Sequence, residues 1–391
     1  MDIELTYILL LFGLLIIPRV LQKVRMPPPI TALGFGILCG MGLNVFIGDE
    51  TINLLATFGI AALFLFAGLE VDGGMLLRKS RTLLVHLAIG IVALFVVSFA
   101  VGIFLNLEWR AAILIGLALL TPSTGFILNT LDSLGITEEE KLWIKAKAIS
   151  TEIIALCVLF VTLKSTSAVE LTASGAALIA MVILLPLVFR FFSAHIAPIA
   201  PNSEYAFLLM VAVVCAYVTR QLGVYYLVGA FLVGIAAQRF RHQAVELSSE
   251  RMFQAVQVFA SFFVPFYFFH AGLEIPRESF GLNGVLLGIA FLAITIPLRI
   301  VISVIHRHIM LREKLRKGVR VAVPLLPTLV FTLVLAAILR ERFEISPAIF
   351  GGLVIYAIGT TLIPGFAFGQ KSPKDDGLDV LSLERIKQRY H

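Results

Sequence analysis

LLVHLAIGIVALFVVSFAVGIFL, residues 83–105, runs without a single Asp, Glu, Lys or Arg. At 1.5 Å per residue a helix of that length spans ~34 Å, enough to cross the ~30 Å hydrocarbon core of a bilayer. A membrane β-strand needs only ~10 residues and alternates polar with apolar positions. This run does neither, and Phe207 to Val218 is equally continuous. The rest of the chain follows suit: of 391 residues, 59% are hydrophobic and 14% charged, against ~25% charged in an average soluble domain. At ~20 residues per crossing the apolar content covers roughly a dozen spans and leaves little chain for a soluble domain. The reading is an all-α polytopic membrane protein, not an enzyme. A net charge of +6, which in a soluble protein points to nucleic acid, here reports topology instead, and no nucleic-acid partner is inferred.

Thirteen apolar segments read as spans: 5–20, 30–46, 52–69, 83–105, 111–131, 145–163, 172–193, 205–220, 222–238, 252–273, 283–305, 318–338 and 346–368. One side of the membrane then carries Arg19 to Arg25, Arg78 to Arg81, Lys141 to Lys147, Arg190, Arg239 to Arg251, Arg307 to Arg320 and the basic tail from Lys371 to Arg389. The other holds only Arg110, Lys164, Arg220, Arg277, Arg340 and Arg342. The positive-inside rule places the N-terminus outside and the C-terminus in the cytoplasm. Met1-Asp2-Ile3-Glu4 is acidic where a secretory signal is basic, so the first helix reads as retained. Cys39, Cys157 and Cys215 fall within spans, lack metal or disulfide spacing, and read as small core residues.

Alternating access is often built from inverted repeats, and two internal echoes point that way. Ala67-Gly68-Leu69-Glu70 closes the third span and Ala271-Gly272-Leu273-Glu274 the tenth, with Phe64 and Phe66, then Phe268 and Phe269, just before. Pro122-Ser123 in the fifth span answers Pro327-Thr328 in the twelfth at nearly the same offset. Seven spans separate each pair, so the halves have opposite orientation: six spans, a linker seventh, six spans. Proline removes a backbone donor and frees the carbonyl four residues back, which at membrane depth is tolerated only where protein or a polar cavity re-satisfies it. Spans five and twelve are therefore predicted to be broken. Leu120-Thr121-Pro122-Ser123-Thr124-Gly125 adds hydroxyls at its break, so that freed carbonyls, hydroxyls and half-helix ends become available to a small cation.

Glu152 is the one acidic residue well inside a predicted span, and an intramembrane carboxylate is costly enough to be a functional candidate by default. Arg299, just after Pro297 in the eleventh span, is the one basic residue at comparable depth. Because a guanidinium does not give up its proton, Arg299 needs a carboxylate, carbonyls or a wet cavity; Glu152 is the obvious partner, with snorkelling towards Arg307 the alternative. Burial favours a neutral carboxyl and a nearby cation the charged one. A Glu152 facing a cavity thus holds a proton or a small cation, never both. Thr151, Ser123 and Thr124 supply hydroxyl oxygens, with Thr121, Pro122, Pro327 and Thr328 around the breaks. One titrating acid predicts one cation exchanged for one proton.

These residues resemble a known family. Phe58-Gly59-Ile60, Phe66-Ala67-Gly68-Leu69-Glu70, Gly229-Ala230-Phe231-Leu232-Val233-Gly234 and Phe269-His270-Ala271-Gly272-Leu273 are similar to the monovalent cation/proton antiporters, in particular the membrane domain of their Kef-type (antiporter-2) branch of potassium/proton exchangers. The resemblance implies thirteen helices in two six-helix inverted repeats with crossed, broken helices. It divides the chain into dimer-side helices and the start of the core (1–110), core helices five and six (111–163), a linker helix (164–200), dimer-side helices eight to ten (201–275), core helices eleven to thirteen (276–368) and a cytoplasmic tail (369–391). It also implies a homodimer in the bacterial inner membrane and an elevator motion of the core. The family's span-six Asp and the residue before it fall on Glu152 and Thr151, its span-eleven cation on Arg299, and its span-five Ser-Thr on Ser123-Thr124. A Gly-Glu-Phe of the Kef branch is replaced around Pro327-Thr328-Leu329, and the nucleotide-binding domain of long members has no counterpart in the tail after Phe368.

The expected activity is electroneutral exchange of Na+ or K+ for H+, with no cofactor beyond the transported ions. The alternative is a transport-inactive sensor or subunit that keeps the fold, motivated by the altered Thr151-Glu152 and the lost Gly-Glu-Phe. Membrane lipid is the expected surrounding. The basic stretch from Arg307 to Arg320 reads first as a topology determinant beside anionic lipid, and otherwise as a place for a separate regulatory subunit.

Overall fold

The computed structural model describes residues 3–71, 74, 80–200, 203–240 and 250–368, and its elements are helices. Among the described residues ten are long and apolar enough to cross a membrane. An eleventh crossing is formed if the bent pair Leu315–Leu325 and Leu329–Phe343, inclined at 49°, counts as one span. Pro28–Leu43 and Leu227–Gln238 are shorter apolar helices. Arg78, Lys79, Arg241 and the tail 369–391, which entered the topology argument, lie outside the described residues.

The helices form two groups. The first comprises α1 (Ile3–Leu21), α2 (Pro28–Ile37), α3 (Glu50–Leu69), α9 (Glu204–Gln221), α10 (Tyr226–Phe240) and α11 (Glu250–Leu273), packed around the buried α3. The second comprises α4 (Ser80–Leu105), α5 (Trp109–Leu120), α6 (Thr124–Thr130), α7 (Glu138–Lys164), α12 (Leu282–Leu311), α13 (Leu315–Ala322), α14 (Leu329–Phe343) and α15 (Pro347–Phe368). The long α8 (Ala168–Phe191) bridges α7 and α10. Local chemistry sets several starts. Pro28 stands in the first turn of α2, where a missing N–H costs nothing. Asp49 caps α3 by accepting from the Ile52 amide at 2.9 Å, and the same carboxylate accepts the Tyr7 hydroxyl of α1. Thr137 and Glu140 form a reciprocal capping box at α7.

The two sequence echoes do matching work. Gly68 of α3 meets Gly234 of α10, and Gly272 of α11 meets Gly36 of α2; a Cβ on Gly68 would stand 2.9 Å from the Gly234 Cα, and one on Gly272 3.0 Å from the Gly36 Cα. Close backbone approach through small residues is how helices associate without a hydrophobic driving force between them. The glutamates two positions on each reach the second group: Glu70 pairs with Lys145 of α7 at 3.5 Å, and Glu274 with Arg340 of α14 at 2.9 Å.

Three sequence readings are revised. The sixth span begins at Glu138 rather than residue 145, so Glu138, Glu139 and Glu140, which precede the predicted span, form its first turn, and Glu140 is buried 3.5 Å from Arg320. The stretch from Arg307 to Arg320 is largely helical, because α12 continues to Leu311 and α13 starts at Leu315. Arg307 is only 4% exposed: Glu313 accepts two hydrogen bonds from its guanidinium at 2.8 Å, and the same group lies 5.1 Å over the Trp143 ring. An apolar face and a carboxylate together outweigh hydration there. Finally, Cys39 and Cys215 are buried but Cys157 is exposed, on the outward side of α7.

Replacing either close-contact glycine forces backbones apart. Gly68→Val and Gly272→Val should each cost about 1–3 kcal/mol, read as a lowered unfolding temperature in detergent. Gly34→Val, where an added Cβ meets nothing within 4 Å, should leave that temperature nearly unchanged.

Candidate functional site

The centre of the second group is the crossing of two interrupted helices. The α5–α6 pair opens at residues 121–123 and the α13–α14 pair at 326–328, both runs without regular structure. Pro122 has no amide, so the Ala118 carbonyl loses its helical partner; the Thr332 hydroxyl of α14 donates to it at 2.7 Å. Ser123 directs its amide to the Pro327 carbonyl at 2.8 Å instead of back along its own helix. Its hydroxyl accepts from the Val330 and Phe331 amides, at 3.0 and 3.3 Å. Ser123 therefore caps a helix that begins some 200 residues further along the chain, supplying acceptors to amides the helix itself cannot satisfy.

Arg299 holds the opposite ends. It donates to the Leu325 carbonyl at 2.5 Å, the Leu326 carbonyl at 2.8 Å, the Tyr356 hydroxyl at 3.2 Å and, more distantly, the Leu119 carbonyl at 3.5 Å. Tyr356, fully buried on α15, donates its hydroxyl proton to the Leu119 carbonyl at 2.5 Å. Arg299 thus neither snorkels nor pairs with Glu152: no ion pair links them among the described residues. Its forked guanidinium matches carbonyls converging from both breaks, partial negative charges that a compact ammonium would serve less fully. Thr328 hydrogen-bonds through its hydroxyl to that of Thr360 at 3.2 Å.

Glu152 lies on the other face of the crossing. It is 3% exposed, and its Oε2 and the Thr124 hydroxyl have no hydrogen-bond partner. The two face one another beside a small space of about 10 Å³, bounded by the Ser123–Gly125 turn, by Val330 and Phe331 at the start of α14, and by Leu63, Phe64 and Ala67 of α3. The beginning of α14, the positive end of its dipole, is turned towards this carboxylate. An unsatisfied acceptor costs free energy when buried, and here it stands opposite an unsatisfied hydroxyl. Carboxylate and hydroxyl oxygens are the donors a hard cation takes.

The sequence-predicted residues separate into two sets. Ser123 and Thr124 stand with Glu152. Thr151, one residue along α7 and so about 100° around the helix, faces a second cavity with Thr121, Pro122 and Arg299, and donates to its own helix at the Lys147 carbonyl, 2.8 Å away. Pro327 and Thr328 belong to the crossing itself. Sequence reasoning missed Thr332 and Tyr356, whose signal is a hydroxyl in an otherwise apolar span. It also counted Lys147, near the start of the predicted span 145–163, among the charges on one side of the membrane; Lys147 lies inside α7 and donates to Ser303 of α12 at 2.7 Å.

A family model described as "Sodium/hydrogen exchanger, transmembrane" matches residues 8–370. Probable Na(+)/H(+) antiporter 3 of Methanocaldococcus jannaschii is 25% identical over 91% of this chain and 93% of its own. Two Bacillus cereus proteins, probable Na(+)/H(+) antiporter GerT and Na(+)/H(+)-K(+) antiporter GerN, are 24% and 26% identical, each over 66% of this chain and 70% and 68% of their own. Among solved structures, the sodium proton antiporter MjNhaP1 from Methanocaldococcus jannaschii superposes with a TM-score of 0.67 at 14% identity, covering 93% of this chain and 96% of that one. The Kef-type branch read from the sequence gains no support from these relatives, and that part of the resemblance is withdrawn.

Removing Ser123's hydroxyl strips an acceptor from two buried amides. Ser123→Ala and Thr332→Val should each lower stability by about 1–2 kcal/mol, measured as thermal unfolding in detergent. Arg299→Lys should lose less than Arg299→Ala, since it retains the charge but not the fork.

Proposed function

The chain belongs to the sodium/hydrogen exchanger family, and from that premise we propose how it works. It is a multi-pass membrane protein and a sodium/proton antiporter. In our reading Glu152 is the exchange site, alternately neutralised by a proton and by an alkali cation, with the Thr124 hydroxyl as a second oxygen ligand. The observation that carries this reading is the pair of unpartnered oxygens, Glu152 Oε2 and Thr124 Oγ1, facing one another where half-helices begin. Occupancy is mutually exclusive because one carboxylate cannot keep a proton and bind a cation at the same oxygens. One acid then implies one cation per proton. Potassium remains a substrate candidate beside sodium, in keeping with the printed name of GerN.

The same site supports an elevator cycle. Its cavity has one wall from α3 of the first group and the remainder from the crossing and α7 of the second, so sliding one group past the other would carry Glu152 between faces. Counting both shorter apolar helices and the bent pair as crossings brings the total to the thirteen read from the sequence. The paired glycine contacts and the glutamate pairs at the ends of α3 and α11 support two inverted repeats. A homodimer in the bacterial inner membrane, N-terminus outside and tail cytoplasmic, completes the proposal.

The test is cation-driven dissipation of an imposed pH gradient in proteoliposomes. Glu152→Gln, which cannot carry charge, should fall to the rate of protein-free vesicles, while Glu152→Asp should retain exchange. Wild-type rates unaffected by Glu152→Gln would sink the assignment, and silence of wild type towards every alkali cation would favour the sensor reading. Protons compete for the site, so the half-saturating sodium concentration should rise as pH falls, by up to about tenfold per pH unit where the acid is mostly protonated, with little change in maximal rate.

A further inference from the structure

A second cavity, about 100 Å³, lies within the core group on the far side of the crossing from Glu152, between α4, α5, α7 and α12. Its walls are mainly Leu, Ile and Ala, and no carboxylate is among its lining residues. Its polar floor is cationic or imidazole. Lys147 reaches it with Ser303 as hydrogen-bond partner at 2.7 Å, Arg299 borders it while bonded to carbonyls, and His86 lines it. His86 is 5% exposed and its Nδ1 has no partner; the neighbouring His306, ring centroid 4.6 Å away, has neither nitrogen satisfied. Cationic groups with no counter-charge in a dry cavity are costly, and an anion relieves that cost.

The cavity reaches the outer surface at Gly90 and Ile91, both exposed and midway along α4. A Cβ on Gly90 would meet nothing within 4 Å. Most large apolar residues of α4 are exposed, from Leu84 to Phe104, so this opening faces acyl chains rather than water. We propose that the cavity is a binding site for a single-chain acyl carboxylate from the bilayer, its head group on Lys147 and Ser303 beside His86 and its chain leaving past Gly90. A cavity of about 100 Å³ has no room for the two chains of a diacyl lipid. This site is independent of the exchange assignment: Thr151, Thr121 and Pro122 face it, whereas Glu152, Ser123 and Thr124 face away.

The chain's two tryptophans supply the test. Trp143 is buried one turn before Lys147, and Trp109 is exposed at the start of α5. In Trp109→Phe protein in lipid nanodiscs, palmitate brominated beside its carboxyl should quench Trp143 fluorescence saturably, and the matching brominated alcohol should not. Lys147→Gln should weaken the apparent affinity at least about tenfold, as for removal of one member of a buried charge pair. Gly90→Leu, which grows into open space, should do the same and guards against misfolding of the lysine variant. Equal quenching by acid and alcohol, or quenching unaffected in a folded Gly90→Leu protein, would overturn the proposal. So would displacement by acetate or inorganic phosphate as effective as by palmitate, which would identify a water-borne anion, or stronger quenching by a brominated diacyl phosphatidylglycerol.

Discussion

A backbone amide or carbonyl left bare in hydrocarbon has no water to turn to, and this protein leaves several bare on purpose. Pro122 and Pro327 interrupt two helices at the same place, and the released groups are taken up by the other broken helix, by Arg299 and by hydroxyls from neighbouring helices. Neither interruption is stable by itself. Ser123 closes the beginning of α14, and Thr332 of α14 closes the end of α5. Each half thus supplies what the other lacks, which helps fix their crossing point.

That mutual satisfaction leaves chemistry to spare on both faces of α7. Neighbouring residues Thr151 and Glu152 diverge by the helical turn angle, so one helix presents an acid to the α3 interface and a lysine, through Lys147, to an apolar cavity on the far side. The crossing stands between them as an insulating layer. Opposite charges one and a half turns apart on a helix thereby serve separate environments, and neither neutralises the other through a direct pair. Glu152 stands against α3, at the boundary between the two helix groups.

The likeness to MjNhaP1 holds at 14% identity. A fold of long apolar helices asks for hydrophobic length more than for particular side chains. Glu152 shares its small cavity with residues from the starts of α6 and α14.

Hydrophobic run length by itself determined that the chain spans a membrane as helices, because hydrocarbon thickness sets a minimum stretch and excludes unsatisfied backbone. Proline and lone intramembrane charges marked the breaks, Glu152 and Arg299, since each is too expensive to occur there without compensation. Only the tertiary structure decided who compensates whom. Arg299 chose carbonyls over Glu152, Thr151 turned from the acid beside it, Lys147 found Ser303, and Arg307 entered the protein from what looked like a loop. A linear sequence records the type of a polar group and its approximate depth. The direction it faces depends on helix rotation and on partners some 30 to 200 residues away, which the apolar pattern of an almost uniformly hydrophobic chain is too even to specify.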